Sequence, residues 1–352
     1  MEKKGRIRKK SKIKEGLINR PGIYILVGVL ALLIPIVNLQ FGLFANSTMT
    51  LMNRVVIFSI AALGFNILLG YAGQISLGHA AFMGIGGYLS AYLTMEMNVP
   101  FVVSIILAGI VPMVIGLLLG LVALRLEKLY LAIATLGLGV TIQNVFFEWN
   151  GFTGGHSGMR GIPSPEILGF SFRQREHFLL LSIGILVLLA IFSYNFIRSK
   201  TGRALIAMRD SESAAQAMGI SLFNYKLIAF ALSAFYVGVA GGLYAHLYRY
   251  IEPNIWGVEL SLDLLAMVVI GGMATIGGSI LGAAFIQLLP RVMSSLPFLD
   301  GIANINFILT GLFLVIVIVF FPRGLIYKFT EWWTKIRYKF FSSKPGIKGG
   351  GD

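Results

Sequence analysis

The chain has 352 residues, 57% of them hydrophobic and 12% charged, with a mean hydropathy of +0.82. That balance leaves too little polar surface to coat a water-soluble globule, so the chain reads as a polytopic membrane protein. The net charge of +14 comes from basic residues that flank apolar runs rather than build a soluble domain, which points to orientation and anionic lipid contact and away from nucleic acid, while the absence of cysteine excludes disulfides and thiolate metal sites.

The first twenty residues, MEKKGRIRKKSKIKEGLINR, form most of a basic segment, 1–21, that leads into an apolar run without a small-residue cleavage site. They read as a topology determinant and not as a cleavable signal. Apolar runs follow at 22–39, 51–69, 99–124, 129–147, 178–197, 225–247 and 303–321, most approaching the roughly 20 residues a helix needs to cross the hydrocarbon core. None shows the alternation of a membrane strand, so helices are expected. Two further stretches, 71–93 and 261–296, are glycine-rich, and the second predicts short segments at 261–274 and 278–296 broken at GGMATIGGS. The expectation is an all-α polytopic membrane protein, with about ten transmembrane or partly spanning helices over 22–321 and a basic tail at 322–352. With the N-terminus inside, 23 of the 29 Lys and Arg residues fall on the cytoplasmic side, leaving Arg54, Arg160, Arg173, Arg175, Arg249 and Arg291 outside. Both termini are therefore expected in the cytosol.

Motifs for chemistry are absent from the sequence. It contains neither a G-x-x-x-x-G-K-[ST] phosphate loop nor H-E-x-x-H, and its histidines (His79, His156, His177, His246) are scattered. No catalytic, cofactor or metal site is read from it. Acids within membrane spans would suggest ion coupling, but Glu96, Glu148 and Glu259 read as interfacial, and only Asp263 fits that role poorly.

The stretch GYAGQISLGHAAFMGIGGYLSAYL, starting at Gly70, combines six glycines with Gln74, Ser76 and His79. One reading is close helix packing with these side chains as interhelical hydrogen-bond partners. The other is a pore wall, where interrupted backbone is tolerated. Gly271-Gly272 and Gly277-Gly278 repeat the glycine signature, and Ala80-Ala81-Phe82 recurs as Ala283-Ala284-Phe285.

The inner loop 198–226 contains SKTGRALIAMRDSESAAQAMGISLFNYK. Asp210 is a plausible N-cap, Glu212 complements the helix dipole and Gly219 supplies a stop, which predicts a short helix over 211–218. Such a helix either lies on the lipid surface or docks in a partner's groove. The outer loop 148–177 carries TGGHSGMRGIP with Arg160.

Ala214-Ala215-x-x-x-Gly219 resembles the cytoplasmic coupling loop of ABC importer permeases, with Ser213 at the place of the usual acid and Glu212 one position earlier. In order, GYAGQISLGHAAFMGIGGY, YLAIATLG, TGGHSGMRGIP, GRALIAMRDSESAAQAMGI, KLIAFALSAFYVGVAGGLYA, SLDLLAMVVIGGMATIGGSILGAAF and FFPRGL are similar to the LivM branch of branched-chain amino acid permeases, from about Asn53 to Leu325. The resemblance implies a permease subunit paired with a LivH-like permease, two LivG/LivF-like ATPases and an extracytoplasmic amino-acid-binding protein, working by alternating access. It also implies ATPase contact through Arg203, Arg209, Asp210, Glu212, Ala214, Ala215 and Gly219. Gln74, Ser76, His79 and Asp263 are the expected translocation-path residues, and the Arg160 loop either meets the binding protein or merely closes on itself. The same architecture carrying urea or a short amide, a stand-alone channel or secondary transporter, and an intramembrane enzyme remain alternatives.

Overall fold

Backbone in lipid has to bond within its own segment, and the apolar runs accordingly form helices in the computed structural model, which describes residues 21–42, 44–123, 128–294, 311, 312, 315, 319, 324–328 and 331. In chain order these are α1 (Pro21–Phe41), α2 (Asn46–Asn66, extended by a π-helical turn, Ile67–Tyr71), α3 (His79–Met95), α4 (Phe101–Ala123) and α5 (Lys128–Glu148), then α6 (Arg175–Arg198), α7 (Lys200–Asp210), α8 (Glu212–Ala217), α9 (Leu222–Tyr248), α10 (Val258–Gly271) and α11 (Ile276–Ser294). Among the described residues, five stretches are long and apolar enough to cross a membrane: Asn46–Tyr71, Phe101–Leu121, Leu129–Glu148, Arg175–Arg198 and Leu222–Tyr248. The run at 303–321 and both terminal segments lie outside the described residues, apart from the isolated positions above.

The two glycine-rich stretches depart from simple spans. Residues 72–78 are non-helical and α3 starts only at His79. The second stretch folds as two short helices, as expected, and α10 and α11 form a hairpin with its turn at 272–275. At the opposite end of the bundle from α7 and α8, four two-residue strands organise the connections. β1 (Met159–Arg160) pairs antiparallel with β4 (Tyr250–Ile251), and β2 (Glu166–Ile167) pairs with β3 (Phe170–Ser171).

The core is centred on α9, which packs against α2, α3 and α4. Glycine lets those axes approach until backbones touch. A Cβ on Gly241 would lie 1.8 Å from the Met83 carbonyl oxygen, one on Gly86 would lie 2.2 Å from the Gly238 oxygen, and one on Gly238 would lie 2.2 Å from the Ala108 oxygen. The α10–α11 hairpin closes the same way, with a Gly282 Cβ 1.8 Å from the Met267 oxygen. By contrast α4, α5 and α6 turn apolar side chains outward, among them Val102, Ile106, Leu118, Ile133, Leu188 and Phe192.

Gly241→Leu is expected to cost more than about 3 kcal/mol, because rigid backbone and not a flexible side chain stands in its way. Gly184→Ala, at a position with nothing within 4 Å of the new carbon, should change stability by less than about 1 kcal/mol. Thermal unfolding of the detergent-solubilised protein separates the two.

Candidate functional site

The α7–α8 elbow is held by its own caps. Ser199 starts α7, its Oγ accepting from the Gly202 amide at 3.3 Å, and a Cβ on Gly202 would lie 2.1 Å from the Ile197 oxygen. Ser211 caps α8, accepting from the Ala214 amide at 3.3 Å. The expected cap, Asp210, is instead the last residue of α7, because Ser211 is the position whose backbone turns extended (φ −160°, ψ 111°). Gly219 follows α8 with φ +82°, and the Ile220 amide bonds back to the Ala215 oxygen at 3.0 Å, a C-terminal stop that favours glycine. A 2.9 Å ion pair between Glu212 and Lys226 ties α8 to the start of α9.

These anchors decide which of the expected contact residues look outward. Ala215 is only 3% exposed and packs into the core, whereas Ser213, Ala214, Gln216 and Met218 are exposed. Arg203 is exposed and donates to the Arg198 oxygen at 2.8 Å, and Arg198 itself bonds and stacks on Tyr194. Arg209 turns inward: its Nη1 donates to the Gly70 oxygen at 2.9 Å while its other nitrogens hold Asp210.

Gly70 lies in the π-helical turn that ends α2, and that turn is joined to the α10–α11 hairpin by Asn66. The Asn66 amide donates to the Thr275 oxygen and to Ser279 Oγ, and its Oδ1 accepts from the Ala274 amide, all at 2.9 Å. A Cβ on Gly70 would lie 1.9 Å from that Oδ1 and 2.5 Å from the Ala274 nitrogen. Elbow, end of α2 and hairpin turn are thus in one hydrogen-bonded sequence. Nothing local in an apolar run marks an asparagine whose partners lie more than 200 positions away, and Asn66 is absent from the residues read from the sequence.

The polar residues of the opening glycine-rich stretch surround the non-helical segment. His79 bonds Ser76 Oγ through Nδ1 at 2.8 Å and Ser233 Oγ through Nε2 at 2.9 Å, between the rings of Phe65, Phe82 and Phe230. Ser76 and His79 have no exposed surface. Gln74 is 2% exposed, and both atoms of its amide are without a hydrogen-bond partner. Asp263, in contrast, is exposed on α10 beside α2. At the loop end, Arg160 stacks over Tyr250 at 5.2 Å, and buried His246 donates from Nδ1 to the Pro163 oxygen and accepts from Ser90 at Nε2. Among the described residues no three His, Asp or Glu side chains are grouped as metal ligands.

Residues 47–321 match the protein family described as the branched-chain amino acid transport system permease component. The chain is 30% identical over 321 residues to the high-affinity branched-chain amino acid transport system permease protein LivM of Salmonella typhimurium, covering 85% of this chain and 74% of that protein. LivM of Escherichia coli K12 is 30% identical over 80% of this chain and 70% of its own length. The autoinducer 2 import system permease protein LsrC of Escherichia coli is 28% identical over 68% and 69%.

Asn66→Ala leaves the partly buried Ala274 amide short of its partner and removes a donor from the Thr275 oxygen and Ser279 Oγ, and is expected to destabilise the protein by about 1–3 kcal/mol. Arg209→Met, at a half-exposed contact, should cost about 1 kcal/mol. Chemical denaturation in detergent, with unchanged steepness of the transition, tests both.

Proposed function

Because the chain belongs to the family of branched-chain amino acid transport permease components, multi-pass subunits of ABC importers in the inner membrane, we propose that it moves branched-chain amino acids into the cytosol, driven by separate ATPase subunits. Its partners on this reading are a LivH-like second permease, two LivG/LivF-like ATPases and an extracytoplasmic amino-acid-binding protein, with anionic lipid around the basic ends. About ten helices span or partly span over 22–321, with segments 1–21 and 322–352 in the cytosol, as the distribution of basic residues favours.

The observation that carries the reading is the elbow. A short capped helix, α8, is fixed to the bundle by Ala215 and Glu212 and offers Ser213, Ala214 and Gln216 outward. That is the form a docking element needs when it must pass force into a membrane domain. Arg203, Asp210, Ala214 and Gly219 make its outward contacts with the ATPase, while Ala215, Glu212 and Arg209 hold it to the rest of the chain. Alternating access requires the nucleotide to bind the two conformations with different affinity, so the elbow has to transmit a free-energy difference. Gln74, Ser76 and His79 belong to the packed wall that rearranges as access alternates, and Asp263 to its exposed surface.

Gentle affinity purification from the native membrane is expected to recover the chain with two ATPases and a second permease. Recovery alone, under detergent conditions that keep other ABC importers whole, overturns the assignment. Ala214→Glu, at an exposed position, should lower ATP-driven leucine uptake by more than about tenfold with normal membrane levels; undiminished uptake removes α8 from the ATPase contact. Comparing leucine, isoleucine and valine with urea in the same assay decides the solute.

A further inference from the structure

The charges on the outward surface of α2 and α10 call for a separate account. Arg54 stands eight positions into α2, inside an apolar span, and Asp263 stands five positions into α10. These are about 12 and 8 Å along the respective helix axes. Both are exposed, and Glu259, four positions before Asp263, is exposed with it. Ionisable residues within membrane segments as a rule face a bundle interior or a water-filled path and mark functional sites, and Arg54 and Asp263 stand together on this face.

The pair is also open. The helices that carry Asp263 and Arg54 pack against each other, yet among the described residues no nitrogen of Arg54 lies within 4.0 Å of a carboxylate oxygen. Elsewhere acids of this chain are closed by short contacts, Arg209 to Asp210 at 2.8 Å and Lys226 to Glu212 at 2.9 Å. Arg54 is nonetheless held in place. Its guanidinium carbon stands 5.8 Å above the Phe58 ring, Phe58 meets Tyr244 edge-on at 6.2 Å, and Tyr244 meets buried Trp256 at 5.5 Å.

We propose that Arg54 and Asp263 form a split charge pair in the path wall that receives the two ends of a zwitterionic amino acid, Arg54 the carboxylate and Asp263 the ammonium. An arginine fork matches a carboxylate's two oxygens, and a fixed carboxylate complements an ammonium. Exposed Leu262 adds apolar surface for an aliphatic side chain. The assignment rests on the importer reading above and identifies what in this chain recognises the solute after its receptor releases it.

The test uses the complete importer in liposomes, with binding protein added and cysteines removed from the other subunits, since this chain has none. Arg54→Met and Asp263→Asn are each expected to lower uptake about tenfold while ATPase stimulation by the liganded binding protein stays within about twofold; Arg54→Lys and Asp263→Glu should recover part of the uptake. Asp263→Cys should react with a membrane-impermeant charged thiosulfonate, and more slowly during turnover with solute. Uptake at the unsubstituted rate in either neutral variant, loss of ATPase stimulation together with uptake, or an unreactive thiol overturns the proposal. An unsubstituted complex lacking stimulated ATPase would instead overturn the importer reading.

Discussion

A stretch of backbone that leaves the helix inside a membrane bundle has to find its hydrogen bonds on neighbouring helices, and residues 72–78 impose that requirement on this chain. The Gln74 backbone N–H bonds to the Leu68 oxygen, the Leu77 backbone N–H to Thr135 Oγ1 of α5 and the Ala80 backbone N–H to Ser261 Oγ of α10. Reaching those partners brings backbones together: a Cβ on Gly78 would lie 2.2 Å from the Thr135 oxygen. Ser76, His79 and Ser233 then close the remaining polar space between α3 and α9. The polarity and the glycine content of the stretch have one origin, which is the need to satisfy and to accommodate an interrupted helix.

The interruption also governs what the α7–α8 elbow can touch. Because α2 ends in a π-helical turn, the oxygen of Gly70 is open to Arg209. Asn66, one turn earlier, binds the hairpin turn through three hydrogen bonds. A displacement of α7 therefore acts on two elements at once, the end of α2 and the α10–α11 hairpin, and both lead into backbone that glycines hold in close contact. Contacts of that kind do not deform by small amounts; they hold or separate, which suits a transition between two discrete arrangements.

Hydropathy was enough to place the long helices, since 225–247 and 178–197 fall within α9 and α6, and the glycine-rich break at GGMATIGGS became the α10–α11 turn. The elbow was legible from its caps to within one position; Asp210 and Ser211 both carry a suitable oxygen, and only the backbone conformation distinguishes them. Side-chain direction was not legible. Ala214 and Ala215 are identical in sequence and opposite in exposure, and Arg209, in a basic loop, turns inward to a carbonyl that exists only because α2 unwinds. Asn66 lacked any local signal and Arg54 read only as an outer basic residue, their significance depending on α10 and α11, which fold against α2 from two hundred residues away.

Polar groups inside the chain and charges on its outside have different partners, and the difference locates the solute's route. Within the core His79, His246, Asn66 and Ser90 are bonded to protein, and the backbones of α3, α4 and α9 are in contact at Gly86, Gly238 and Gly241, so the helices at the centre of this subunit are closely packed. Much of the outside, on α4, α5 and α6, is aliphatic and suited to lipid. The surface of α2 and α10, with Arg54, Glu259 and Asp263, fits neither description. On the proposal above the solute path would follow that surface rather than the centre of the chain, with a second permease as its opposite wall. On this reading a single subunit would be half of a pore, and α8 the element through which it receives work done elsewhere.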